Sequence, residues 1–222
     1  MKNNFKMSSI IPTVFAASKK QFEKRFDNII NLTNKIQIDF MDGKFVKTKS
    51  LPISQIPGLK RYKKNFEAHL MLYHPDKYLG LLKNKGFNKI IFHIESTKSP
   101  EKTINLIKKE KLKIFIAINP KTGIKSILPY VNEVNGVLFL GVHPGKEHQS
   151  FLPTVYKKIR QLRKINKEIK IQVDGGVNEK SIKKLAKLGV SLVNSGSFIS
   201  QSENPKEAFN KLTALFEKYK KR

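Results

Sequence analysis

Ile36-Gln37-Ile38-Asp39-Phe40-Met41-Asp42-Gly43 is an apolar run interrupted by a carboxylate and stopped at a glycine. The same construction returns in Phe66-Glu67-Ala68-His69-Leu70-Met71-Leu72, in Ile90-Ile91-Phe92-His93-Ile94-Glu95 and in Ile171-Gln172-Val173-Asp174-Gly175-Gly176. Short, mostly apolar runs rich in β-branched residues suit strands covered on both faces. A polar group near the C-terminal end of run after run points to a (β/α)₈ TIM barrel, where reacting groups collect at one rim.

Outward from these runs the chain alternates strand-like and amphipathic stretches. Further strands are expected at Ile10–Phe15, Leu112–Ile118, Val134–Val142 and Val190–Asn194. Ser18 is placed to cap a helix with Phe22, Phe26, Ile29 and Ile30 on its buried stripe. The stretch from Val46 to Lys63 reads as a long loop with a short helix. Pro75 starts a helix that ends near Gly86, and Ser99-Pro100-Glu101 opens another. A short helix is expected from Lys121 to about Tyr130. Later helices carry Val155, Ile159, Leu162 and Ile165, then Ile182, Leu185 and Leu188, then Ala208, Leu212, Leu215 and Phe216. Eight βα units with short connections imply parallel strands and right-handed crossovers. No linker divides residues 1–222, so one barrel domain is expected, with a basic tail at 218–222.

The composition excludes several classes. Cys is absent, which removes disulfides, thiolate metal sites and cysteine nucleophiles and fits a cytoplasmic protein. No apolar run approaches the roughly 20 residues that span a bilayer, and the segment Met1–Lys6 leads into no signal-peptide core. The net charge is +27, yet only five of the 44 basic residues are Arg, and lysines recur in nearly every helical segment. Scattered solvated lysines account for that better than a nucleic-acid footprint. Nonspecific polyanion binding and faster encounter with a phosphorylated substrate still follow.

Two carboxylates, Asp39 and Asp174, end the second and seventh strands and would face each other across the barrel mouth. Carboxylates on opposite sides of a substrate suit proton removal on one face and delivery on the other, as in epimerisation beside a carbonyl. With His69 they could hold a divalent cation. Gly175-Gly176 and Asn194-Ser195-Gly196-Ser197 follow the strands whose loops commonly make a barrel's phosphate site. A short helix from Ser197 would aim its N-terminus there.

These segments, together with Val142-His143-Pro144-Gly145 and Gln149-Ser150-Phe151, resemble the ribulose-phosphate 3-epimerase family in order from about Ile10 to Pro205. The resemblance implies interconversion of D-ribulose 5-phosphate and D-xylulose 5-phosphate, with Asp39 and Asp174 as proton acceptor and donor. It implies a metal, commonly zinc, with iron, manganese or cobalt as alternatives, on Asp39, His69 and Asp174. Thr13, Met41, His69 and Met71 would contact substrate. Gly145, Lys146, His148, Gly175, Gly176, Gly196 and Ser197 would surround its phosphate. Expected partners are a phosphorylated ketopentose and further copies of the chain in a homo-oligomer, with no membrane.

Three features depart from the family. Gln37 stands where the family has a metal-binding His, and its amide oxygen would be a poor zinc ligand. Gly145-Lys146-Glu147-His148-Gln149 replaces a glycine-richer loop, so Glu147 repels phosphate unless it turns away. Leu140 replaces a lining methionine. His93 and Glu95 read as a hydrogen-bonded pair behind the site, and His74 and His143 fall in loops. A related hexulose-phosphate 3-epimerase, or a degenerate phosphate- or RNA-binding barrel, are the alternative functions.

Overall fold

Eight short strands pair in parallel and in chain order, each with the next and β8 with β1. They are β1 (Ile10–Val14), β2 (Lys35–Met41), β3 (Asn65–Met71), β4 (Lys89–His93), β5 (Lys113–Ile118), β6 (Gly136–Leu140), β7 (Lys170–Asp174) and β8 (Leu192–Ser195). The computed structural model describes residues 8–220, so the expectation for Met1–Lys6 lies outside the described residues.

The helices pack around this barrel. They are α1 (Lys19–Ile29), α2 (Leu79–Lys85), α3 (Pro100–Lys109), α4 (Thr154–Ile165), α5 (Glu179–Lys187), α6 (Ser197–Ser200) and α7 (Pro205–Tyr219). Ser18 caps α1, its hydroxyl accepting from the Gln21 N–H at 3.3 Å. Gly86, at φ +102°, closes α2, its N–H reaching Leu82 and Lys83 carbonyls. After β2 and after β5 only 3₁₀ turns occur, at 53–55 and 60–62 and at 124–126 and 128–130. The helix expected from Lys121 to Tyr130 is thus split. Pro129 lacks an N–H and its ring clashes with the preceding turn.

Other boundaries move for local reasons. β6 is shorter than Val134–Val142, because Asn135 takes the Ile114 N–H with its side chain at 2.8 Å. At its far end the Gly141 N–H turns to the Asp174 carbonyl at 2.6 Å. Ile165, expected on the buried face of α4, is 56% exposed. Asn166 stops the helix there, its side chain accepting from the N–H groups of Glu168 and Ile169, and Ile169 enters the core instead. Of the expected tail, Lys218 and Tyr219 belong to α7 and positions 221–222 are outside the described residues.

Two cores result from the strand alternation. Phe40, Phe66, Phe92 and Phe139 face the helices with Phe22, Phe26 and Phe216. Inside the barrel, Ile91, Phe115, Ala117, Leu138 and Leu140 fill the half lined by β4 to β6. The other half of the lumen is polar: Gln37, Glu67, His69, Lys89, Gln172 and Asn194 are all buried.

Candidate active site

Asp39 and His69 are register partners on β2 and β3, so they project into the lumen side by side. Asp174 ends β7 and reaches the same point from the opposite wall. His69 Nδ1 lies 3.1 Å from Asp39 Oδ1 and 3.4 Å from Asp174 Oδ2. One ligand atom from each of the three lies within 4.8 Å of the others, a spacing that suits one cation.

Burial and mutual contact set the charges. Burial, then the neighbouring Asp174 charge, push Asp39 up to about 6, against the pull of its His69 hydrogen bond. Burial alone would lower His69, but hydrogen bonds to Asp174 and Asp39 outweigh it and raise the imidazole to about 9. His93 stacks on His69 at 5.1 Å between ring centroids, with their Nε2 atoms 3.0 Å apart. Facing imidazole nitrogens need one donor and one acceptor. Burial, reinforced by the His69 charge, lowers His93 to about 4, so His93 is the acceptor. Behind it, His93 Nδ1 is 3.4 Å from Glu95 Oε2. Glu95 Oε1 accepts from the Asn119 N–H at 2.9 Å and from the Thr122 hydroxyl. His93, backed by Glu95, therefore contacts His69 on the edge opposite the two aspartates.

Gln37, read from the sequence as a poor oxygen ligand, presents its amide nitrogen to the two carboxylates. Its Nε2 donates to Asp174 Oδ2 at 2.6 Å and to Asp39 Oδ1 at 2.9 Å. Its Oε1 faces the barrel interior, where it accepts from Asn194 Nδ2 at 2.8 Å. The described residues thus fit a cation through Asp39, His69 and Asp174, with an amide N–H group, not an oxygen, at the fourth side.

Above the carboxylates opens a cavity of roughly 690 Å³ of non-atom space, open solvent included. Thr13, Met41, Met71 and Leu140 wall it around the carboxylates and His69. Gly145, Lys146, His148, Gly175, Gly176, Gly196 and Ser197 line it as well. Gly176, at φ +66°, brings its backbone so close to Phe151 that a Cβ would meet the Phe151 N and Cα at 2.8 Å. Gly196 precedes the first turn of α6 and its carbonyl accepts from the Ser200 N–H at 2.8 Å.

The 145–149 loop keeps a tight path without the extra glycines. His148 adopts the left-handed conformation at φ +57°, which few non-glycine residues do. Gln149 Nε2 ties the loop by donating to the carbonyls of His143 and Lys146 at 2.6 and 2.9 Å. Glu147 turns to α1, where Arg25 Nη1 pairs with it at 3.0 Å, and Gln201 Nε2 donates to its other oxygen at 2.7 Å. Glu147 still lines the cavity, with its charge met by the Arg25 cation.

Sequence reasoning missed the polar layer beneath the site. Glu67, Lys89, Gln172 and Asn194 are no more than 6% exposed and hydrogen-bonded to one another. The signal was present: Gln37, Glu67 and Gln172 each stand two residues before Asp39, His69 and Asp174, on the same strand face.

Among the described residues no helix is long and apolar enough to cross a membrane. The chain is 29% identical over 210 residues to the ribulose-phosphate 3-epimerase of Schizosaccharomyces pombe, covering 92% of each. It is 33% identical over 206 residues to that of Buchnera aphidicola subsp. Schizaphis graminum, covering 90% of this chain and 89% of the relative. A variant tryptophan synthase α-subunit from Pyrococcus furiosus superposes with TM-score 0.67 at 17% identity, covering 97% and 98% of the two chains, a likeness of fold alone. Residues 8–200 match the ribulose-phosphate 3 epimerase family, and the chain belongs to that family.

Proposed function

We propose that the chain interconverts D-ribulose 5-phosphate and D-xylulose 5-phosphate by proton transfer between two carboxylates. The observation that carries this is the meeting of Asp39 and Asp174, from opposite walls of the barrel, at the floor of one cavity. The proton on C3 lies beside the C2 ketone and is weakly acidic. Asp39, ionised at neutral pH but more basic than an ordinary carboxylate, takes it in one direction. Asp174 returns a proton to the opposite face of the planar enediolate, which inverts the centre. In the reverse direction the roles exchange.

The remaining lining residues serve that transfer. Met41, Met71 and Leu140 supply a soft apolar wall for a flat intermediate and keep water from it. The Thr13 hydroxyl, in the cavity lining, orients the sugar. Backbone N–H groups at Gly175, Gly176, Gly196 and Ser197 receive the phosphate, with Lys146 and His148 adding charge from the 145–149 loop.

A divalent cation would be held by Asp39, His69 and Asp174. When bound, it supplies Lewis-acid stabilisation of the charge developing on oxygen. Two carboxylates and an imidazole accept zinc, iron, manganese or cobalt, and zinc is the choice the family resemblance favours. A cytoplasmic location and assembly into a homo-oligomer belong to the same reading.

The test is proton exchange. Incubation with ribulose 5-phosphate in deuterated water should place deuterium at C3 in both pentuloses. Asp39→Asn and Asp174→Asn should each slow this by about 10²–10⁴-fold. Absence of label at C3 with metal supplied would end the proposal.

A further inference from the structure

The polar layer beneath the carboxylates has a fixed direction. Lys89 Nζ and Glu67 Oε1 form a buried ion pair at 2.5 Å. Lys89 Nζ also donates to Gln172 Oε1 at 3.1 Å, and Gln172 Nε2 donates to Glu67 Oε2 at 2.9 Å. Amide orientations are often ambiguous, but an ammonium only donates and a carboxylate only accepts. A flipped Gln172 would set donor against donor and acceptor against acceptor, so its orientation is pinned.

The direction then propagates. The other N–H of Gln172 goes to Asn194 Oδ1 at 2.6 Å. That leaves Asn194 Nδ2 to donate to Gln37 Oε1 at 2.8 Å and to Thr13 Oγ1 at 3.3 Å. With its oxygen taken, Gln37 can offer the site only N–H groups, and both carboxylates accept from them. Gln37, Gln172 and Asn194 are 0% exposed, so water does not relax these choices.

We propose that Gln37 is a locked N–H donor that positions Asp39 and Asp174, and that it does not ligate metal. The cation site then has three protein ligands, and the amide occupies the fourth side by holding one oxygen of each carboxylate. The kinetic consequence rests on the epimerase reading; the metal-binding consequence does not.

Gln37→Leu removes the amide at similar volume. It orphans little, because Asn194 Nδ2 keeps Thr13 and Gln172 Nε2 keeps Glu67 and Asn194. Zinc affinity is read by competition with a chromophoric chelator, and folding by circular dichroism. Affinity should fall by no more than the roughly 10- to 100-fold that loss of a partner behind the ligating carboxylates costs. With cobalt in place of zinc, the visible absorption of the bound ion should be the same in Gln37→Leu as in the unsubstituted chain, because the ligand set is unchanged. A cobalt spectrum altered in the way a lost ligand alters it overturns the proposal.

Asn194→Asp tests the lock from below. It replaces the donor that holds the Gln37 oxygen with an acceptor, so the Gln37 amide turns over and points its oxygen at the cation site. Zinc affinity should rise at least tenfold, and the rise should vanish in Asn194→Asp combined with Gln37→Leu, which keeps the added charge. If affinity does not rise, or the double variant retains the rise, the lock is not what sets Gln37. This arm decides the matter even if zinc binding by the unsubstituted chain is too weak to measure.

Turnover separates positioning from general structure. In Gln37→Leu, kcat for ribulose 5-phosphate should fall about 10-fold or more while KM stays within about twofold, since the phosphate loops are untouched. An unchanged kcat contradicts the positioning role. If the unsubstituted chain shows no epimerase activity, the zinc measurements still stand on their own.

Discussion

The proton on His69 should make the metal-free protein lose stability as pH rises. His69 is fully buried, and its pKa goes from 6.5 to about 9 because Asp174 and Asp39 accept from it. A raised pKa means that the folded chain binds the proton more tightly than the unfolded chain does. Its stabilisation is complete below the unfolded value and is lost as pH climbs through the folded one. At about 1.36 kcal/mol per pKa unit the full effect is about 3 kcal/mol, of which about 2–3 kcal/mol disappears between pH 6.5 and 9. Neighbouring groups do not mask it. Asp39, near 6, and His93, near 4, have finished titrating in the folded chain below this window. Their residual effect on the slope is under about 0.5 kcal/mol each. The assay is urea unfolding in chelator at pH 6.5, 7.5, 8.2 and 9, with His69→Asn beside it. The decline should be present in the unsubstituted chain and absent in the variant. A divalent cation must displace the His69 proton to bind, so zinc binding at pH 7.5 should release close to one proton, measurable by calorimetry in two buffers. Stability that is flat from pH 6.5 to 9, or an equal slope in His69→Asn, would refute the charge assignment at the centre.

Two further outcomes concern the phosphate end. Arg25→Ala frees the Glu147 carboxylate from its 3.0 Å partner beside the proposed phosphate loop. KM for ribulose 5-phosphate should rise about 5- to 10-fold with kcat nearly unchanged, and Glu147→Gln in the same chain should restore it; an unchanged KM dismisses the pair as irrelevant to binding. Gly176→Ala forces a side chain into the left-handed region and against the Phe151 backbone at 2.8 Å. It should raise KM by about 10-fold or more and lower the melting temperature by several degrees, as strain of about 1–3 kcal/mol implies; normal KM and melting would show that the turn has room to give.

The barrel was legible because its physics is local. Ile10, Ile36, Phe66, Ile90 and Ile114 open runs whose two faces both need covering, and no short-range signal competes with that. Asp39, His69 and Asp174 stood out because ionisable groups at the ends of such runs have few structural excuses. The connections after β2 and β5 were harder. Pro52, Pro57, Gly58, Gly123 and Pro129 break helices, and what remains is fixed by tertiary contact, as where Lys85 Nζ donates to the Ser54 carbonyl at 2.8 Å. The fate of Glu147 was not legible at all, since Arg25 lies 122 positions earlier in the chain.

The Gln37 amide shows where one-residue reading stops. Whether it presents oxygen or nitrogen to the site is decided by Lys89 and Glu67 through two intervening amides, none of them adjacent in sequence. A buried amide in such a chain cannot turn over singly without setting donor against donor or acceptor against acceptor. A ligating imidazole usually donates its other N–H to an acceptor behind it. Behind position 37 this chain puts Asn194 Nδ2, which is itself a donor. Gln37 and Asn194 therefore fit each other, and an imidazole at 37 would meet the wrong partner below it. The departure from the family at position 37 is in this sense a property of the whole polar half of the lumen, from Lys89 to Asp39, and not of one side chain.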